Sequence, residues 1–76
     1  MKHFIFHITA QNQPTVLYRV VDMFLRRRFA ITELTYAQQK NNEIKILVQA
    51  PISIDQSEKL ARQIERVIEV SQVRVS

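Results

Sequence analysis

The chain has 76 residues, 46% of them hydrophobic and 24% charged, with 11 Lys and Arg against 7 Asp and Glu for a net charge of +4. This length accommodates one domain, residues 1–76, and its composition is that of a folded globular chain, not a disordered or fibrous one. Without Cys there is no disulfide, thiolate metal site or cysteine nucleophile, and without Gly there is no glycine-rich phosphate loop, so a cytoplasmic location is expected and nucleotide-binding loops are excluded.

The first segment, Lys2 to Thr9, places Phe4, Phe6 and Ile8 at every second position and His3, Ile5 and His7 between them, the alternation of a half-buried strand. It starts directly after Met1, and no apolar run approaches the roughly 18 residues that span a bilayer, so neither a signal peptide nor a membrane segment is expected. Pro14 suits the first turn of a helix, where its missing N–H leaves no bond unmade. Val16, Leu17, Val20, Val21, Phe24 and Leu25 then form an apolar stripe opposite Arg19, Asp22 and Arg26. The helix is expected to end near Arg27 or Arg28, where positive charge suits the negative end of its dipole.

Ala30 to Ala37 and Glu43 to Ala50 are read as the second and third strands, from their Thr, Ile and Tyr content and from the alternation of Ile44, Ile46 and Val48. Between them Gln38 to Asn42 makes the hairpin connection, and in a chain without Gly the asparagines must serve any position of positive φ. Asp55 followed three residues later by Glu58 predicts the start of a second helix, with Leu60, Ala61, Ile64, Val67 and Ile68 on its apolar face and a Glu58–Arg62 surface pair. Val70, Val73 and Val75 mark the last strand. The order βαββαβ with right-handed crossovers predicts an α+β, ferredoxin-like domain: a four-stranded antiparallel sheet with two helices on one face.

Few residues are candidates for chemistry. His3 and His7 are four strand positions apart, about 13 Å, too far to share one ion, and they read as surface residues. No Ser-His-Asp arrangement is assignable, so the chain is read as a non-enzyme without resident cofactor or metal. Arg26, Arg27 and Arg28 fan out around a helix at about 100° per residue, which argues against a single clamp. Arg19, Arg26 and Arg27 remain a candidate docking patch for a partner. RNA-recognition modules of the same fold stack bases on aromatics of the first and third strands. Glu43 to Val48 contains none, and Phe4 and Phe6 read as core.

Asn12-Gln13-Pro14-Thr15-Val16-Leu17-Tyr18-Arg19-Val20, followed by Phe24-Leu25-Arg26-Arg27-Arg28-Phe29-Ala30-Ile31-Thr32-Glu33-Leu34, resembles the N-terminal ACT domain of acetolactate synthase small subunits, whose pattern is roughly N-x-P-G-V-L-x-R-V then F-x-R-R-G-[FY]-N-I-x-S-L. Val67 to Val75 resembles that family's L-x-K-L-x-D-V-x-x-V ending, and the chain is closest to the short form of the subunit. The resemblance implies a regulatory subunit that pairs through its ACT domain, binds the thiamine-diphosphate-dependent catalytic subunit and raises its activity in branched-chain amino-acid synthesis. It also implies an effector site where the loop after the first strand meets the partner's second strand. There Asn12, Thr15, Val16 and Leu17 supply a helix N-terminus for a carboxylate, and Ala30 and Ile31 supply the strand.

Two departures from the pattern bear on that site. Thr15 replaces a Gly and brings a β-carbon to a close backbone approach, while Ala30 replaces an Asn and removes a polar side chain. Weak or absent valine feedback is therefore expected. Arg28 replaces a second Gly, which requires a helix end that Arg can adopt. The second strand, with Ile31, Glu33 and Thr35, is expected at a sheet edge that pairs with a second copy into a continuous sheet. The competing readings are a free-standing ACT amino-acid sensor and a small RNA-binding protein.

Overall fold

A computed structural model describes residues 2–76. The elements run β1 (Lys2–Gln11), α1 (Pro14–Arg26), β2 (Glu33–Gln38), β3 (Glu43–Ile52), α2 (Ile54–Glu65) and β4 (Val70–Val75), and the strands form one antiparallel sheet in the order β2-β3-β1-β4. This is the expected ferredoxin-like arrangement. The alternation predicted for β1 and β3 decides which side is core: Phe6, Ile8 and Ala10 on one strand and Ile44, Ile46, Val48, Ala50 and Ile52 on the other are fully buried. Val16, Val20 and Phe24 of α1 and Leu60 and Ile64 of α2 close over them. Phe6 and Phe24 meet edge to face with ring centroids 5.0 Å apart, the arrangement ring quadrupoles favour. Among the described residues no helix is long and apolar enough to cross a membrane.

Several boundaries differ from expectation. β1 continues past Thr9 to Gln11, paired with Glu43 on β3. β3 runs on through Pro51 to Ile52. The Gln39 N–H donates to the Glu43 carbonyl, which sets the phase of the β2–β3 ladder and turns the odd-numbered backbone groups of β3 toward β2. β2 starts only at Glu33, opposite Gln49, so the nitrogen of Pro51 faces no strand and its missing N–H leaves no ladder bond unmade. The same proline explains why β2 does not begin at Ala30: it has no N–H to offer residues 30–32. Instead the Thr32 N–H and hydroxyl both donate to the Gln49 carbonyl, at 2.8 and 3.1 Å.

α1 ends where the arginines predicted. Arg28 takes φ 58°, its N–H donates to the Leu25 carbonyl and the Phe29 N–H to the Phe24 carbonyl, the paired bonds of a Schellman C-cap with Arg in the place that favours Gly. The helix boundary does not shift; Arg28 itself adopts the left-handed conformation. The other positive φ values fall on Asn41 and Asn42 in the hairpin, as a glycine-free chain requires.

α2 starts earlier than Asp55. Ser53 is the N-cap, its hydroxyl accepting the Gln56 N–H at 3.2 Å while the Gln56 side chain reaches back to the Ser53 N–H, a complete capping box. Asp55 lies in the first turn, where its charge suits the dipole, and Glu58 and Arg62 form no ion pair among the described residues. The helix stops at Glu65, so the three-and-four spacing does not carry Ile68 inward; Ile68 is 91% exposed, although Val67 in the following turn is buried.

Candidate functional site

The residues assigned to an effector site fall at two places. Asn12 closes β1, its N–H donating to the Asn42 carbonyl of the hairpin, and its side-chain Oδ1 lies 3.5 Å from the Tyr36 hydroxyl, at the outer limit of a hydrogen bond. Gln13 caps α1 without any side-chain hydrogen bond, Pro14 follows, and the first turn carries no acidic residue. Among the described residues the Thr15 N–H meets no acceptor, and Thr15 is exposed while Val16 is buried beneath the turn and Leu17 is half-buried. This is an electropositive helix end open to an anion. Ala30 and Ile31 follow the opposite end of α1, which spans 13 residues, so about 18 Å of helix separates the two groups within one chain.

β2 is an edge strand, as expected, but its pairing surface is not the one the sequence pointed to. The ladder phase turns the backbone of Glu33 and Thr35 toward β3, and Ile31 lies before the strand. The outward N–H and C=O groups belong to Leu34, Tyr36 and Gln38. Their side chains lie on the helix side of the sheet, in register with Val48, Ile46 and Ile44, yet Leu34 and Tyr36 are 45% and 43% exposed because no helix covers this edge.

α2 packs on the β4 side of the sheet, and α1 beside it turns Arg19 and Arg27 toward Glu69 and Gln63. Tyr18 and Leu25 lie on the flank of α1 away from Arg19, and both of these side chains are largely exposed. Exposed apolar side chains and a strand edge without a partner in the sheet are surfaces that tend to be covered.

The arginines separate by partner. Arg19 pairs with Glu69 at 3.4 Å and Arg26 with Asp22 at 2.7 Å, so each already has a carboxylate. Among the described residues Arg27 has only neutral acceptors, the Met23 carbonyl at 3.0 Å and the Gln63 side chain. On the open sheet face His7 hydrogen-bonds the Ser76 hydroxyl at 2.9 Å, and partial burial with Arg74 and Lys45 nearby holds its imidazole below the ordinary value. Among the described residues that face carries no Phe, Tyr or Trp near the middle of β1 or β3: Ile5, His7, Leu47 and Gln49 line it, while Phe6 is core and Phe4 packs against the core.

An ACT-domain family profile matches residues 12–73. The chain belongs to the ACT-domain family. No curated protein matches it in sequence. Among solved structures this ACT domain is similar to the acetolactate synthase small subunit from Thermotoga maritima (TM-score 0.86, 20% identity), which it matches over 99% of its own length and 47% of that chain. It is also similar to the ACT domain of the GTP pyrophosphokinase of Chlorobium tepidum (TM-score 0.82, 11% identity, 97% of this chain and 96% of that one). A formyltetrahydrofolate deformylase from Pseudomonas syringae pv. tomato matches at TM-score 0.82 and 13% identity over 100% of this chain and 27% of that one. At such identities the likenesses describe the fold. ACT domains are regulatory modules.

Proposed function

We propose that this ACT domain is a non-catalytic regulatory subunit of acetolactate synthase, acting in the cytoplasm on branched-chain amino-acid synthesis. The reading is carried by the run from Asn12 to Val20 and from Phe24 to Leu34, which resembles the small-subunit pattern and maps onto the loop after β1, α1 and the approach to β2. Copurification with the catalytic subunit and a rise in its turnover are expected; a chain that neither copurifies nor activates would leave the competing reading, a free-standing amino-acid sensor.

The subunit works as a homodimer joined along β2. The strand runs from the α1 C-terminus up to the Asn12 loop, where Tyr36 lies, so a two-fold that pairs β2 antiparallel with its copy carries the partner's Ala30 and Ile31 toward the Asn12 loop. Only such pairing unites the two halves of the effector site. Leu34→Lys puts a charge in that seam and is expected to yield a monomer in analytical ultracentrifugation, with the fold retained because the position is exposed.

Valine feedback is weak or absent. The Thr15 β-carbon and methyl stand at the open helix end, and Ala30 offers no side-chain hydrogen bond. Losing one partner of a charged ligand costs about 1.5–3 kcal/mol, tenfold or more in affinity. Valine is expected to leave the amide shifts of Asn12 to Leu17 unmoved at micromolar concentration, and saturable binding there would overturn this part of the reading.

A further inference from the structure

A notch opens between the C-terminal end of α1 and the first turns of α2, made of two adjoining hollows of about 350 and 400 Å³ that share Arg27, Phe29 and Gln56. Lys59 borders one and Arg28 the other, and no acidic residue lines either. Three observations coincide here. The Arg27 guanidinium donates to the Met23 carbonyl and the Gln63 side chain, both neutral, and among the described residues its positive charge has no counter-ion. Arg28 stands at the lip in a backbone conformation that Gly would adopt without strain, and strain retained at a surface position points toward use of the side chain. Phe29, half-buried and packed against the core, and Pro51 give the notch an apolar lining between the cations.

From this coincidence we infer that the notch docks an acidic segment of a partner polypeptide, with a carboxylate held by Arg27, Arg28 and Lys59 and an apolar side chain seated on Phe29 and Pro51. Charge complementarity selects the occupant: among the described residues no carboxylate lines the hollows or pairs with Arg27, Arg28 or Lys59, and Asp55, one turn before Lys59, forms no ion pair. Hollows of about 350 and 400 Å³ leave room for a short peptide segment. A single strand of RNA tracks a longer basic groove with several stacking aromatics, whereas Phe29 is the one aromatic lining these hollows. In naming the catalytic subunit as the source of the segment, the inference rests on the proposed subunit role; the chemistry of the notch does not.

Two arms test it. In the first, the isotope-labelled chain is titrated with a short peptide alternating Glu and Leu, with a Lys and Leu peptide and polyuridine as comparisons. Amide shifts confined to Arg27, Arg28, Phe29, Gln56 and Lys59, produced by the acidic peptide and fading as salt shortens the Debye length, are expected. Arg28→Gly relieves the backbone strain while removing a charge, so it is expected to unfold at a higher temperature yet bind about threefold more weakly, and Arg28→Gly with Lys59→Glu about tenfold more weakly. A merely structural Arg28 would raise the melting temperature without moving the affinity. Shifts elsewhere, none at all, or a stronger response to polyuridine overturn the inference.

In the second arm the acetolactate synthase catalytic subunit replaces the peptide. If the double variant binds it as tightly as the unaltered chain does, the notch inference falls and the subunit role stands. If the catalytic subunit binds neither while the acidic peptide still occupies the notch, the subunit role falls and the notch stands.

Discussion

Arg28 offers the sharpest test of the backbone argument. An L-residue held in the left-handed region costs about 1–2 kcal/mol relative to the right-handed one, and φ 58° places Arg28 squarely there. Gly has no such penalty but adds unfolded-state freedom worth about 0.4–1 kcal/mol, so Arg28→Gly should stabilise the domain by roughly 0.5–1 kcal/mol net. For a domain of this size that corresponds to a rise of about 2–8 °C in melting temperature. Circular dichroism at neutral pH, with Arg28→Ala as comparison, measures it: Ala keeps the β-carbon and the strain, so it should stay within about 0.5 kcal/mol of the parent. A fall on Gly substitution, or an equal gain from Ala and Gly, would refute the reasoning, because it would mean that the side chain and not the backbone sets the energy of this cap.

Three further outcomes are expected. Phe24→Ala removes a fully buried ring in contact with Phe6 and should cost about 3–5 kcal/mol, most of the stability of so small a domain, so its amide spectrum should collapse toward that of an unfolded chain. Ser53→Ala breaks the capping box and should cost about 1 kcal/mol in urea unfolding, whereas Asp55→Ala should cost less than half of that; the reverse order would restore Asp55 as the cap. His7 is held below its ordinary value in the folded state, so between the folded value and about pH 6.5 the unfolded chain binds the additional proton. Its contribution is complete above that pH and is lost as pH falls, and His7→Gln should flatten that part of the stability profile measured by urea titration.

Much of the fold is present in local sequence. The alternation in Lys2–Thr9 and Glu43–Ala50, the stripe of α1 and the glycine-free hairpin at Asn41 and Asn42 are each decided within a dozen residues, because side-chain periodicity and φ preference are properties of neighbouring positions. The family signature was legible in the same way. Where the elements stop was not: β2 begins late because Pro51, distant in sequence, cannot donate to it, and α2 begins early because Ser53 and Gln56 satisfy each other better than Asp55 and Glu58 do. Those are competitions between alternatives that each look adequate alone.

The candidate site divides along the same line. Sequence by itself singled out the turn at Asn12 to Leu17, the substitutions at Thr15 and Ala30, and the arginine run. Only the tertiary structure decided how they are grouped: it set Ala30 and Ile31 a full helix length from Thr15, turned the free edge of β2 to Leu34, Tyr36 and Gln38, neutralised Arg19 and Arg26, and left Arg27 beside Arg28 and Lys59. The physical reason is that pairing and charge compensation depend on distances between segments remote along the chain, and those distances exist only once sheet register and helix packing have been chosen.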